Sequence, residues 1–155
     1  MKTALLVIDV QMALAYEDAS GTERSCPEAE DNIALLLEKF RSRGDTVVHV
    51  HHHGTDRDDP FHPDAAGSNA QPVAAPASGE PVVIKTGSSG FVGTSLQDIL
   101  CKAGIERVVG YADRADRLEA RSGLQNGVLC RSRRLVHRWR IERCREQFGT
   151  EVDQG

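Results

Sequence analysis

Two charged residues stand at the ends of apolar runs, where their chemistry would be exposed to a ligand. Asp9 closes Ala4-Leu-Leu-Val-Ile8, and Lys85 closes Pro81-Val-Val-Ile84. A carboxylate can take a proton and a lysine can balance developing negative charge; each shifts the other's titration when they meet away from water. Open α/β sheets bind ligands outside the carboxyl ends of their strands. On neighbouring strand ends the two side chains would form a buried ion pair. Position alone leaves Asp9 a second reading, as the residue that caps a strand-to-loop turn.

Other residues invite chemistry less directly. His49, His51, His52 and His53, with Asp56, Asp58, Asp59 and His62, combine imidazole and carboxylate as divalent-metal sites do. Their spacing matches no metal motif, and alternate strand residues face opposite ways, so at most two of the histidines converge. A solvated polar loop is the preferred reading, and no metal is assigned. The turn Thr86-Gly-Ser-Ser-Gly-Phe-Val-Gly93 lets backbone approach a ligand closely but lacks the lysine and spacing of a phosphate-binding loop. Cys26, Cys101, Cys130 and Cys144 form no CxxC pair and are expected to be free thiols.

The elements that must hold these residues are legible in outline. Residues 4–8 alternate with nothing polar, as in a parallel strand covered on both faces. A polar, turn-rich stretch is expected from Tyr16 to Pro27, and Pro27 opens a helix. Ile33, Leu36, Leu37 and Phe40 recur at helical spacing from Glu30 to Arg43, and Gly44 stops the helix. Thr46 to Val50 forms the next strand, parallel and adjacent to the first by right-handed crossover. From His51 to Gly79 a long loop is expected, functional or mobile, on the rim that carries Asp9. Thr94 is placed as N-cap of a helix through Leu96, Ile99 and Leu100 that ends at Gly104, and Arg107 begins a fourth strand.

At 155 residues and a net charge of −4, the chain has length for one core and no global attraction to nucleic acid. No apolar run reaches membrane-span length and no signal sequence opens the chain, so a cytoplasmic location without membrane partners is expected.

The ordered pieces LLVIDVQ, NIALLLEKFRSRGDTVVHV, FHP, EPVVIKTGSSGFVGTSLQDIL and AGIERVV resemble the isochorismatase-like cysteine hydrolases over residues 1–109. Most specific are Asp9, Lys85 and then Ser89, Phe91, Gly93, Thr94 and Leu96 at the family's spacing. The resemblance implies a three-layer Rossmann-like α/β fold with a central parallel sheet and helices on both faces. It implies a homo-oligomeric hydrolase of a small amide-type or related substrate, without a cofactor. It makes Asp9 and Lys85 catalytic, as base and ion-pair partner, and assigns Gln11 and Phe91 to substrate binding. The family's third catalytic group is a cysteine at a helix start just after the fourth strand, where the dipole lowers its pKa. Here Gly110 to Arg117 contains no thiol, so the chain reads either as a hydrolase lacking that nucleophile or as a dead, binding or self-associating relative.

Residues 1–110 therefore read as a truncated hydrolase domain and 111–155 as an aberrant or disordered tail. Ten of the fifteen arginines fall between Arg114 and Arg145, and no lysine follows Lys102. A solvated basic tail and a nucleic-acid-binding arm are two readings of it, the second not favoured. An out-of-frame reading of a GC-rich gene explains it better. Shifted by one base, the codons of Tyr111 to Ala115 permit Met-Gln-Thr-Glu, the family's turn before its cysteine, although no cysteine is recovered between Ala115 and Leu118. Loss of the later elements would leave strand four at or near a sheet edge, with marginal stability. Resequencing the coding DNA over codons 105–155 is expected to reveal a single inserted or deleted base. An unchanged reading would remove the out-of-frame account.

Overall fold

The computed structural model describes residues 1–21, 29–112 and the backbone of 136–140. In chain order these form β1 (Thr3–Ile8), α1 (Met12–Ala19), α2 (Ala29–Ser42), β2 (Thr46–His52), β3 (Val82–Lys85), α3 (Leu96–Lys102), β4 (Arg107–Ala112) and β5 (Val136–Arg140). One sheet runs β3-β2-β1-β4-β5. The first four strands are mutually parallel, and β5 lies antiparallel on β4. The expected parallel β1–β2 pair is present, in the register Leu5↔Val47. β4 stands one strand from the edge, with β5 outside it.

The unbroken apolar run of β1 is explained by cover on both sides. Leu5 and Val7 join Ile33, Leu37 and Phe40 of α2, with Val47, Val109 and Tyr111, in one buried cluster. Ala4 and Leu6 join Val48, Val50, Val83, Val108 and the α3 residues Leu96 and Leu100 in the other. Strand periodicity thus divides one hydrophobic sequence between two layers. Each fully buried leucine or isoleucine contributes about 1.5–3 kcal/mol. The Tyr111 hydroxyl donates to the carbonyl of Ala29 and ties β4 to the start of α2.

Several expectations change. Residues 16–19 belong to α1 rather than to a polar turn. The apolar residues of α1 are consecutive and show no stripe, so its cause is tertiary: Ala13 and Leu14 pack on Phe61. β2 continues through His52, so His51 and His52 are strand residues. The following loop is folded into two short 3₁₀ turns, Ala66–Ser68 and Pro72–Ala74, with Gly67, Ser68, Gln71 and Ala74 buried. α3 begins at Leu96; the Thr94 hydroxyl accepts from the Leu96 amide at 3.2 Å and donates to the Gly90 carbonyl. α2 and α3 end as expected, with Gly44 and Gly104 at φ +67° and +66°. Pro27 lies outside the described residues.

A polar network that runs from buried His49 to exposed Arg41 fixes where β3 begins. His49 is completely buried, and its Nε2 lies 2.8 Å from Glu80 Oε2. Arg41, in the last turn of α2, donates through Nε and Nη2 to the two Glu80 oxygens at 2.7 Å each. The Ala77 amide adds a third donor to Glu80. The Arg41 hydrogen bond holds the Glu80 carboxyl down to about 2, so it is an acceptor only and His49 Nε2 must carry the hydrogen. Burial pushes the His49 imidazole below its ordinary 6.5 and lowers His51 beside it to about 4.

These shifts set the sign of the pH dependence. Buried neutral histidines take up protons only on unfolding, so their contribution to stability is lost as pH falls below 6.5, for His51 down to about 4. The contribution of Glu80 is present above its ordinary 4.5 and lost as pH falls toward about 2. Urea unfolding is expected to show a lower midpoint at about pH 5 than at about pH 7.5, with His51→Asn reducing the difference. Equal midpoints would contradict this. At neutral pH Glu80→Gln is expected to cost about 1–3 kcal/mol, the worth of its charge-assisted bonds to Arg41.

Candidate active site

β1 stops at Ile8 because the next residue leaves the sheet. Asp9 has φ +55° and is the one non-glycine residue in the left-handed region among those described. Aspartate tolerates that region better than most residues, at a cost of about 1 kcal/mol. The Asp9 amide still donates to the Val50 carbonyl at 2.9 Å, and its carbonyl accepts from the Gln11 amide at 2.9 Å. The backbone therefore swings out of the β1 line within three residues.

Lys85 is the last residue of β3 and is 4% exposed. Its Nζ lies 2.9 Å from Asp9 Oδ2 and donates to the Gly87 carbonyl at 3.3 Å. The two residues do not sit on neighbouring strands, as expected from sequence, because β2 runs between them. Two interstrand spacings amount to about 9.5 Å, a gap that a four-carbon side chain spans when the carboxylate turns toward it. The ion pair thus bridges three strands. Asp9 Oδ1 is buried and has no hydrogen-bond partner among the described residues. An acceptor of this kind is suited to an N–H or O–H group on a ligand, or to the proton of a nucleophile.

The other expected site residues are placed differently. The Gln11 side chain is fully buried, and its carboxamide bonds to main-chain atoms of His52 and Ser68. Phe91 is half-buried against the cluster under α3, and its amide donates to Ser89 Oγ at 3.3 Å. Gly90 lets this turn pass close to β2, since a Cβ there would meet Val50 Cγ1 at 3.2 Å. His49 and His51 share one face of β2 with ring centroids 6.2 Å apart, while His52 sits on the other against Phe61 at 5.4 Å. Among the described residues no three His, Cys, Asp or Glu side chains converge to hold a metal. An open acidic recess of about 430 Å³ lies beside His52, lined by Glu17, Asp56, Asp58, Asp59 and Phe61, and excludes Asp9 and Lys85.

Cys101 on α3 is disulfide-bonded, whereas free thiols were expected; the other three cysteines lie outside the described residues. No described helix is long and apolar enough to cross a membrane.

Known proteins share this sequence pattern and fold. The chain is 35% identical over 99 residues to YrdC, an isochorismatase family protein of Bacillus subtilis, covering 64% of this chain and 52% of that protein. A crystal structure of an isochorismatase-family hydrolase from Chromobacterium violaceum matches with a TM-score of 0.66 at 33% identity, over 72% of this chain and 56% of that one. N-carbamoylsarcosine amidase from Thermoplasma acidophilum matches with a TM-score of 0.61 at 27% identity, over 72% and 68% of the two chains. The chain therefore spans about half the length of the first two relatives. The Isochorismatase domain model matches residues 3–111, from the start of β1 into the end of β4, and with all but the last residue of the parallel strands inside that match this chain belongs to the isochorismatase family.

Proposed function

We propose that the chain binds a small amide-type or related carbonyl compound at Asp9 and Lys85, as an isochorismatase-like hydrolase whose own sequence supplies no thiol between Gly110 and Arg117. The observation that carries this reading is the 2.9 Å Lys85–Asp9 pair with the second carboxylate oxygen buried and without a hydrogen-bond partner among the described residues. Lys85 occupies Oδ2, so Oδ1 is the acceptor left for chemistry. In the hydrolytic reading Oδ1 takes a proton from a water whose oxygen attacks the carbonyl carbon. The leaving amine then recovers that proton as the C–N bond breaks. Water is a poorer nucleophile than a thiolate, so turnover is expected to be slow. The likeness to an N-carbamoylsarcosine amidase supports the amide class.

A second reading, binding without turnover, is favoured by the sequence after Gly110, where Tyr111 to Arg117 contains no cysteine. Self-association belongs with it: Val82 and Ile84 on edge strand β3 are 43% and 42% exposed.

Calorimetry with small carboxamides and carbamoyl compounds, run beside an ammonia-release assay, separates the readings. Binding with release supports the hydrolase, and binding alone supports the second reading. Asp9→Asn keeps the size of the side chain and is expected to abolish release and to weaken binding about tenfold or more, the worth of one charge-assisted bond. Equal binding and release by wild type and Asp9→Asn would remove Asp9 from the site.

The pair is also a structural liability. Lys85→Met leaves a carboxylate without its cation and is expected to cost about 3–5 kcal/mol in urea unfolding. The double variant Asp9→Leu/Lys85→Met should recover much of that loss.

A further inference from the structure

β1 and β2 are in register from Ala4↔Thr46 to Ile8↔Val50. In a parallel ladder the main-chain groups of alternate residues point to alternate sides. The amides of His49 and His53 donate to Pro81 and Lys85 of the β3 side, while the Val50 carbonyl accepts from Asp9 on the β1 side. The main chain of His52 therefore faces the place that β1 would fill if it continued. β1 has already left the sheet at Asp9.

The carboxamide of Gln11 fills that place. Its Oε1 accepts from the His52 amide at 2.7 Å, and its Nε2 donates to the His52 carbonyl at 2.9 Å. Nε2 also donates to the Ser68 carbonyl at 2.7 Å. One planar amide thus gives His52 the donor and acceptor that another peptide unit would have given, and uses its other hydrogen to bind the loop. The loop then holds the turn from outside. The Gln71 amide donates to the Val10 carbonyl at 3.0 Å, its Nε2 to the Gln11 carbonyl at 3.2 Å, and the Met12 amide to the Asn69 carbonyl at 2.8 Å.

We propose that Gln11 is the positioning residue of this site: its carboxamide replaces the missing strand peptide beside His52 and so holds Asp9 in the left-handed turn that aims its carboxylate at Lys85. Its functional meaning rests on the reading of Asp9 as the site's acceptor. The role is distinct from contact with substrate, because the side chain is completely buried and its amide hydrogens are both committed to carbonyls. A left-handed aspartate is strained locally and persists only where its surroundings over-determine it.

The test is nuclear magnetic resonance on the isotope-labelled full chain, reading the intraresidue amide-to-α-proton contact of Asp9, which is short in left-handed backbone. Wild type is expected to show the short contact. Gln11→Met, which removes all three bonds, and Gln11→Glu, which sets a carboxylate against two carbonyls, are expected to lose it. Their folding equilibrium constants should fall by about tenfold or more, as for buried groups left unbonded. A general packing role would lower stability and leave the Asp9 signature unchanged, and a folded variant with that result overturns the proposal. Where neither variant folds, amide exchange in wild type decides. His52 should exchange within about tenfold of its β2 neighbours if Gln11 closes the ladder, and exchange about a hundredfold faster would overturn it. Absence of any amide hydrolysis would count against the proposed function and leave this result as it stands.

Discussion

The ion pair between Asp9 and Lys85 imposes a constraint that reaches through most of the described fold. A buried cation and a buried anion are tolerable only together, and only if each element that carries them is held to within a hydrogen-bond length. Lys85 is held because β3 pairs with β2 through His52↔Lys85 and because Glu80, just before the strand, is locked to Arg41 and His49. Asp9 is held because β1 lies in the centre of the sheet with cover on both faces. The strand order places β2 between them, and the length of lysine makes the connection across it. A shorter cation at position 85 could not reach. An aspartate that continued along the strand would have its carboxylate on one face of the sheet rather than at its end.

What the sequence disclosed follows from local rules. The apolar run of β1, the heptad-like spacing in α2 and the glycines after α2 and α3 each act within a few residues, and they read correctly. α1 did not, because Met12 to Ala15 have no stripe and their helix depends on Phe61, which is distant in sequence. Histidine is no strong strand former, so His51 and His52 looked like loop, although β2 needs them to pair with Ile84 and Lys85. The two site residues were visible as types at strand ends; their separation by β2 was not, because strand order is a tertiary property. Gln11 was legible as a residue near the site but not in its role. That role exists only because β2 outruns β1 by two residues, His51 and His52, an offset between strand ends that no motif records.

The histidine run shows the same principle on a smaller scale. Four imidazoles in five residues suggest a metal, yet the strand sends them to different environments. His49 goes into a charged network under α2, His51 stacks edge-on beside it, and His52 meets Phe61 on the opposite face. Alternation disperses the donors that composition had grouped. Burial then keeps His49 and His51 neutral near physiological pH, so they act as packed, hydrogen-bonding rings rather than as charge.

The sheet register also fixes where β4 ends relative to Asp9. Ile8 pairs with Ala112 on the side away from β2, so β4 ends level with the last residue of β1. In sequence the next residues are Asp113, Arg114, Ala115, Asp116 and Arg117, two carboxylates and two guanidinium groups with no nucleophilic sulfur. Hydrolysis by acyl transfer needs a group that attacks carbon; a guanidinium cannot do so, and a carboxylate is a weaker nucleophile than a thiolate. What remains is a preformed acceptor beside a cation, held by β1, β2 and β3 whether or not a nucleophile arrives. Such a pair can orient and polarise a carbonyl compound without cleaving it. In the proposed reading, binding and catalysis separate along a physical boundary: the sheet holds the acceptor and the cation, and Asp113 to Arg117 supply no thiol.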